Sequence, residues 1–338
     1  MDILVTGGAG YIGSHTIIEL QQNGHNVFSV DNYATSSPET YQRIKSITGK
    51  SVIFYECDLN SIEATQAIFK KNSFDAVIHF SALKLVGESV LYPFLYFRNN
   101  INSLTNILQC MEEYSCKHII FSSSCSVYGN TSNMPISEKE PFGMPESPYA
   151  ATKQIAEVML QSFVNNFTDT KCVSLRYFNP VGAHPTGLIG EIQQKPSNLV
   201  PVIMHSVIKN KPFTVFGNNY PTPDGTCIRD YIHVSDVAKA HLSALNFIEH
   251  SEKRYEVFNI GTEKGNSVLE LIKSFENVSG KKLNYNIGKR REGDVSEIFA
   301  NTSKAKQLLQ WHPTFSLNET MNTAWLWLNK MKEENILQ

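Results

Sequence analysis

Thr6-Gly7-Gly8-Ala9-Gly10-Tyr11-Ile12-Gly13 lies between an apolar run, Ile3-Leu4-Val5, and a stretch of helical character that begins at Tyr11. Its glycines at 7, 10 and 13 have the spacing G-x-x-G-x-x-G. After a strand, one glycine allows a tight turn, one lets backbone N–H groups approach a pyrophosphate, and one lets the helix lie close on the sheet. The helix N-terminus then faces the phosphates with its positive dipole end. Such a pattern alone often marks a plain turn, but here strand, turn and helix follow in the required order. Asp31 closes the next apolar run, 18 residues beyond Gly13, close to the roughly 20 expected for an acid that binds a ribose. A carboxylate there favours NAD over NADP, because a 2′-phosphate would meet a like charge. Asn32-Tyr33-Ala34 offers no arginine to reverse the preference.

Outward from this turn, the first half alternates short apolar runs with helical stretches. Strands are expected at 2–6, 26–31, 52–56, 75–80, 118–123 and 171–177, and helices at 11–22, 62–71 and 99–114. The apolar runs are continuous, as in Val77-Ile78-His79-Phe80 and Ile119-Ile120-Phe121, which suits strands buried on both faces of a parallel sheet. The alternation predicts a doubly wound α/β sheet. After Tyr177 a polar loop with Gly and Pro covers 179–196, and shorter elements follow at 197–209, 213–216, 234–249, 257–260, 268–279 and 318–331. The expected division is a nucleotide-binding domain at 1–177 and a smaller, mixed α/β substrate-binding domain at 178–338, with segment 225–232 able to return to the first domain's edge.

Composition narrows the function classes. At 338 residues, with 41% hydrophobic, the chain can build two domains with sizeable cores. Lysine and arginine number 30 against 32 aspartates and glutamates, a balance with no electrostatic footprint for nucleic acid or an anionic membrane. No apolar run approaches the ~20 residues of a membrane helix. Met1 and Asp2 lead straight into the first strand, so no signal peptide is expected. Triplets such as Asn166-Phe167-Thr168 are then expected to stay unmodified, and the location to be cytoplasmic. Cys57, Cys110, Cys116, Cys125, Cys172 and Cys227 form no CxxC pair and have no histidines at ligand spacing. Reduced thiols and no metal site are expected.

Tyr149 and Lys153 are four apart on a helix that Ser147 can cap and Pro148 can open. That spacing places both on one face. A neighbouring ammonium and a helix N-terminus both favour phenolate. Free tyrosine ionises near ~10, so service as a base near neutrality needs a fall of about 3 pH units, worth about 4 kcal/mol. The lysine, the helix end and a cationic nicotinamide together can supply it. A Tyr-Lys pair alone is most often a surface feature. Ser122-Ser123-Ser124 adds weight, because it ends the fifth strand at the carboxyl edge where open α/β sheets bind ligands.

Serine with Tyr-x-x-x-Lys, downstream of a glycine-rich strand turn, is the signature of short-chain dehydrogenases/reductases. The segments TGGAGYIGSH at 6–15, VDN at 30–32, IHFSALKLVGES at 78–89, FSSSCSVYG at 121–129 and SPYAATK at 147–153 extend the likeness. So do RYFNPVGAHPTGLIGE at 176–191, RDYIHVSD at 229–236, FNIGT at 258–262 and RREGD at 290–294. Over nearly its whole length the chain resembles the UDP-galactose/UDP-glucose 4-epimerases of the extended short-chain dehydrogenase/reductase family, which have a Rossmann-type fold.

The resemblance implies an NAD site of Gly7, Gly10, Tyr11, Ile12, Gly13, Asp31, Asn32, Asp58, Leu59, Phe80, Lys84, Asn99, Tyr149, Lys153 and Tyr177. It implies Ser124, Tyr149 and Lys153 as the catalytic set. It implies a UDP-sugar site of Ser124, Asn179, Asn198, Leu199, Phe216, Arg229, Arg291, Asp294 and Ile298. Two arginines suit a diphosphate, since guanidinium groups clamp phosphates well. The implied reaction is a hidden redox cycle. Tyr149 takes the sugar's 4-hydroxyl proton as the C4 hydride passes to NAD, and the 4-keto sugar turns over and is reduced on its other face. The resemblance also implies a homodimer, with helices 99–114 (Ile101, Leu104, Leu108, Met111) and 149–165 (Ile155, Met159, Phe163) packed against a partner.

Two positions depart from the family pattern. Glu292 stands where the family usually has a proline, which would have fixed the backbone. Ile298 occupies the position that gates the sugar's 2-substituent, where a bulky aromatic excludes N-acetyl groups and a small residue admits them. UDP-glucose and UDP-galactose are the expected pair, with activity on N-acetylhexosamines left open. A nucleotide-sugar 4,6-dehydratase or decarboxylase is the nearest alternative. Dehydratases need carboxylates beside the catalytic serine or threonine, and Ser124-Cys125-Ser126 has none. A non-catalytic NAD sensor is the other alternative, and it would have no need of a general base.

Overall fold

The computed structural model describes residues 1–291 and 294–336. In chain order the elements begin β1 (Asp2–Thr6), α1 (Tyr11–Gln22), β2 (Asn26–Asp31), α2 (Glu39–Thr48), β3 (Ile53–Glu56), α3 (Ile62–Lys71), β4 (Ala76–His79) and α4 (Val86–Leu91). Next come α5 (Pro93–Glu113), β5 (His118–Ser124), a 3-10 turn (Cys125–Tyr128), α6 (Pro148–Asn166), β6 (Lys171–Tyr177), β7 (Asn179–Val181), α7 (Leu199–Lys209) and β8 (Phe213–Phe216). The rest are β9 (Ile228–Arg229), β10 (Tyr231–His233), α8 (Val234–His250), β11 (Tyr255–Ile260), β12 (Asn266–Ser267), α9 (Val268–Ser279), β13 (Tyr285–Gly288), β14 (Glu297–Ile298), α10 (Ser303–Leu308) and α11 (Leu317–Glu333).

Seven strands form one parallel sheet in the order β11-β6-β5-β4-β1-β2-β3. Six of them repeat the 3-2-1-4-5-6 order of the Rossmann fold, which reverses at β1/β4. Alternate residues of one strand face opposite layers. Ile3 and Val5 pack with Ile17, Ile18, Val237 and Leu245 of α1 and α8. Leu4 packs on the other side, in one cluster with Leu104, Leu108, Leu160 and Val164 of α5 and α6. Each such fully buried side chain contributes about 1.5–3 kcal/mol relative to exposure.

Several expectations change. The strand at 257–260, assigned by sequence to the second half, is the core of β11 and extends the main sheet beside β6. Helix α8, just before it, packs on α1. Helices α2 and α4 were not foreseen, and α5 begins six residues early because Pro93 opens its first turn. Edge strand β3 exposes Ile53 and Phe54, so burial on both faces fails there. The helix stripe expected to meet a partner also divides: Leu104, Leu108, Met111 and Phe163 face the subunit's own sheet, whereas Ile155 points outward.

The second half adds small sheets, β10-β7, β12-β9-β14 and β13-β8. The sheets β10-β7 and β13-β8 share a core in which Val215, Leu271, Phe275 and Trp327 are buried, whereas Ile298 of β14 joins a separate cluster with Val127 and Phe178. These elements sit over the carboxyl ends of the main strands, because β7 follows β6 directly and pairs with β10.

Candidate active site

The glycine turn has the close packing that its spacing calls for. Gly7 has φ +67, and a Cβ built at Gly13 would come 2.4 Å from the Gly7 carbonyl oxygen. At Gly10 a Cβ would meet nothing within 4 Å except that same oxygen, so it would stand in the mouth of the turn. No side chain caps α1, and its first N–H groups point out of the helix. An anion-binding cradle results, and its shape fits the pyrophosphate of a dinucleotide.

Asp31 ends β2. Its carboxylate accepts from the Ala9 N–H (3.1 Å), the Tyr33 N–H (3.0 Å) and the Ser36 hydroxyl (2.8 Å). It is therefore held at the turn as a fixed negative group, which suits a ribose diol. Asn32 caps the Ala34 N–H. Asp58 and Asn99 both bond Asn60, and Leu59 is buried below them. Phe80 follows β4, with its ring 4.6 Å from His241. The Tyr11 hydroxyl donates to the Gly182 carbonyl at 2.7 Å, and Ile12 follows it in the first turn of α1. Lys84 pairs with Glu191 at 2.8 Å, its ammonium 5.9 Å from the centre of the Tyr11 ring.

Ser124, Tyr149 and Lys153 converge at the carboxyl end of β5. Ser147 caps α6 through the Ala150 N–H, and Pro148 opens the helix, so Tyr149 and Lys153 share a face. The Lys153 ammonium donates to the Ser122 carbonyl at 2.6 Å and lies 5.8 Å from the Tyr149 ring centre. Burial pushes the Tyr149 phenol up to about 12, opposed by hydrogen bonding with Ser124. Burial draws Lys153 down to about 8, opposed by the charge of Glu157. Of the three contributors expected to lower the phenol, the chain itself holds the lysine and the helix end, and Ser124 only partly offsets burial. Tyr177 closes the floor. Nδ1–H of His241 donates to the Val237 carbonyl (2.9 Å), which leaves Nε2 to accept from the Tyr177 hydroxyl (3.0 Å).

The second-half residues form two groups joined by the segment after β13. Arg229 on β9 donates to Asp294 (2.7 Å) and to the Val295 carbonyl (2.9 Å). Ile298 on β14 lies beside it. In the other group the exposed Arg291 stacks on Phe216, 4.3 Å from the ring centre, and reaches the Ser197 carbonyl at 3.5 Å. Asn198 and Leu199 begin α7 directly after that carbonyl. Asn179 on β7 buries a side-chain oxygen with no partner among the described residues, which leaves it able to accept from a ligand. Glu292 lies outside the described residues. A cleft between Thr131, Ser132 and Val295–Glu297 opens beside Asp294.

The family description "NAD dependent epimerase/dehydratase family" matches residues 3–261. The chain belongs to the NAD dependent epimerase/dehydratase family. A UDP-glucose 4-epimerase of Bacillus subtilis is 45% identical over 329 residues, covering 97% of this chain and 96% of its own. The solved structure of a UDP-glucose-4-epimerase from Stenotrophomonas maltophila with bound NAD and formylated UDP-arabinopyranose superposes with a TM-score of 0.95, at 41% identity and 99% coverage of each chain. A Bifidobacterium longum UDP-glucose 4-epimerase in complex with NAD+ and UDP gives 0.93 at 42% identity, with 98% of each chain covered.

Within this family frame the structure adds residues that the motifs did not single out. Gly8 is as constrained as its neighbours, since a Cβ there would lie 2.0 Å from the Ser29 hydroxyl. Asn100, next to Asn99, bonds both the N–H and the carbonyl of Leu83 as well as Thr152, and so ties the β4–α4 loop to α6. Its place beside Asn99 was the available signal. Glu191, which holds Lys84, lies within the quoted segment 176–191 but carried no assigned role. Among the described residues no group of three or more His, Cys, Asp or Glu is placed to hold a metal, and no helix is long and apolar enough to cross a membrane.

Proposed function

We propose that this chain is an NAD-dependent UDP-glucose 4-epimerase, an isomerase that interconverts UDP-galactose and UDP-glucose in galactose metabolism. The observation that carries this reading is the convergence of Ser124, Tyr149 and Lys153 on the same sheet that carries the glycine turn, in a chain 45% identical to such an enzyme along nearly its whole length. NAD, when bound, supplies the hydride acceptor and donor and, in its oxidised form, a positive ring. Gly7, Gly10 and Gly13 with the first turn of α1 hold its phosphates, Asp31 its ribose, and Tyr177 and Phe80 the deeper end of the site.

The chain's own groups handle the proton. The Ser124 hydroxyl lies close enough to the Tyr149 phenol to oppose its upward shift, so a sugar 4-hydroxyl that reaches the pair meets a donor and an acceptor. Tyr149 takes its proton, and the nearby Lys153 ammonium stabilises the phenolate formed. Arg229, fixed by Asp294, and Arg291, braced on Phe216, hold the diphosphate and uridine side, and Asn179 offers its free oxygen to the substrate. Residues 1–177 serve the NAD side and 178–338 the UDP-sugar side, although the latter lend α8 and β11 to the main sheet. Ser126 and Cys125 supply no carboxylate for elimination, which disfavours a dehydratase.

A homodimer fits the outer surface of α4, α5 and α6, where Leu91, Phe94, Leu95, Ile155 and Val158 are exposed together. A cytoplasmic location fits the six free thiols.

The test uses protein purified without added nucleotide. It converts UDP-galactose to UDP-glucose unaided, and on denaturation it releases NAD. Release of NADP, or the need for a second substrate as net oxidant, rejects the reading.

A further inference from the structure

Below the Tyr149–Lys153 centre lies a buried ion pair that none of these steps uses. Arg176 on β6 grips Glu157 on α6 with two prongs, Nε to Oε1 at 2.9 Å and Nη2 to Oε2 at 2.6 Å, with side chains 6% and 2% exposed. The Ser123 hydroxyl donates to the same carboxylate. The third prong, Nη1, donates to the Tyr128 oxygen at 2.9 Å, and Tyr128 in turn donates to Asn259 at 2.6 Å.

Each member stands next to a group at the reaction centre. Ser123 precedes Ser124, and Arg176 precedes Tyr177. Glu157 is one helical turn beyond Lys153 and two beyond Tyr149. Tyr128 ends the 3-10 turn that leaves Ser124. The strands carrying Ser123 and Arg176 are hydrogen-bonded neighbours in register.

Stability gives little reason to keep such a pair. Lost hydration cancels most of the attraction, and an apolar pair of similar volume holds a fold as well or better. A planar fork on a carboxylate does what apolar packing does not: it admits one mutual orientation. We propose that the Glu157–Arg176 fork is a positioning device for the reaction, locking α6 to β5 and β6 in the register that brings Ser124, Tyr149 and Lys153 together. Neither residue touches the reacting atoms, and the proposal rests on the epimerase reading of the site.

The pair also acts on Lys153 through space. The titratable groups facing that ammonium are Tyr149 and Glu157 from α6 and His79 from β4, and the Ser122 carbonyl and Phe121 ring of β5 also meet it. His79 is held neutral by burial, so Glu157 supplies the negative charge that keeps Lys153 protonated. Removing it lets the ammonium deprotonate at lower pH.

Three variants test the proposal. Glu157→Gln keeps shape and loses charge, Arg176→Lys keeps charge and loses the fork, and Glu157→Leu with Arg176→Met makes the pair apolar. The expected result is a kcat for UDP-galactose lowered about 10²-fold in folded protein of all three, the loss typical of slight misplacement. KM should stay within about threefold of the parent. In Glu157→Gln the alkaline limb of kcat also moves to lower pH. NMR of protein labelled at lysine Cε reads the same change without turnover, with Lys153 assigned by its absence in Lys153→Met. Its midpoint falls in Glu157→Gln relative to the parent, because the Glu157 charge that raises it is gone. A folded double variant with the parent's kcat overturns the proposal, as does a Glu157→Gln protein with unchanged kcat and unchanged Lys153 midpoint. A parent without epimerase activity rejects the epimerase reading instead, and the Lys153 midpoint then decides for or against the coupling of the fork to the centre.

Discussion

Ile298 stands in parallel register beside Arg229, the two on adjoining strands of the small three-stranded sheet. On the proposed reading, the wall expected to meet the sugar is thus tied to the arginine expected to hold the diphosphate. Ile298 is 9% exposed and packs with Val127, Tyr128 and Phe178. A β-branched side chain in such packing cannot swing aside. Ile298→Gly is expected to raise the rate on UDP-N-acetylgalactosamine relative to UDP-galactose, and Ile298→Tyr to lower it. The glycine variant also opens a cavity and should lose about 2–5 kcal/mol of stability. Unchanged rate ratios in both variants would remove Ile298 from the sugar pocket.

Tyr149→Phe deletes one hydroxyl and leaves the ring packing in place. Turnover is expected to fall about 10²–10⁴-fold, the usual contribution of a positioned proton acceptor, while bound NAD and melting temperature stay near those of the parent. Activity within a few-fold of the parent would show that another group takes the proton.

Acid should unfold the protein early. His15, His79 and His233 are drawn by burial from 6.5 to about 3, and His241 to about 4. As pH falls through 6.5 the unfolded chain takes up these protons and the folded chain does not. The unfolded state therefore binds more protons between about 6.5 and 3, so stability is intact above that window and is lost as pH falls through it. Each histidine contributes a slope of about 1.4 kcal/mol per pH unit well inside the window. Urea melts at pH 7, 6 and 5 should show a fall that precedes carboxylate protonation. A midpoint constant from pH 7 to 5 would mean that these rings are hydrated.

Light scattering at micromolar concentration should give about twice the 38.0 kDa chain mass. Phe94 is 81% exposed, so Phe94→Glu costs the single subunit little and should shift the population to monomer. A parent that already runs at the mass of one chain would refute the homodimer.

The sequence was most legible where function depends on local spacing. The glycine turn, the N-cap and proline before Tyr149, and the four-residue step to Lys153 are each readable within a few residues. Helices α2 and α4 were not, because α2 buries only Tyr41 and Ile44 and α4 only Ser89, too few to leave an apolar stripe. Nor was the destination of β11 readable, since an apolar run shows that a strand is buried but not beside which strand. Glu157 and Arg176 look in sequence like any surface charges. Their meeting is a fact of strand order, 19 residues apart in the chain and 2.6 Å apart in space.

The placement of β11 bears on the chain's synthesis. β6 is complete at residue 177, yet the strand that covers its outer edge ends at residue 260. While the intervening residues emerge from the ribosome, a nascent chain carries a strand edge with unsatisfied N–H and C=O groups, open to any passing strand. Premature termination anywhere in that interval leaves the edge bare for good. Fragments that end there should therefore be sticky where the full chain is not, and the first half of this molecule is not a unit that can be expressed alone without harm.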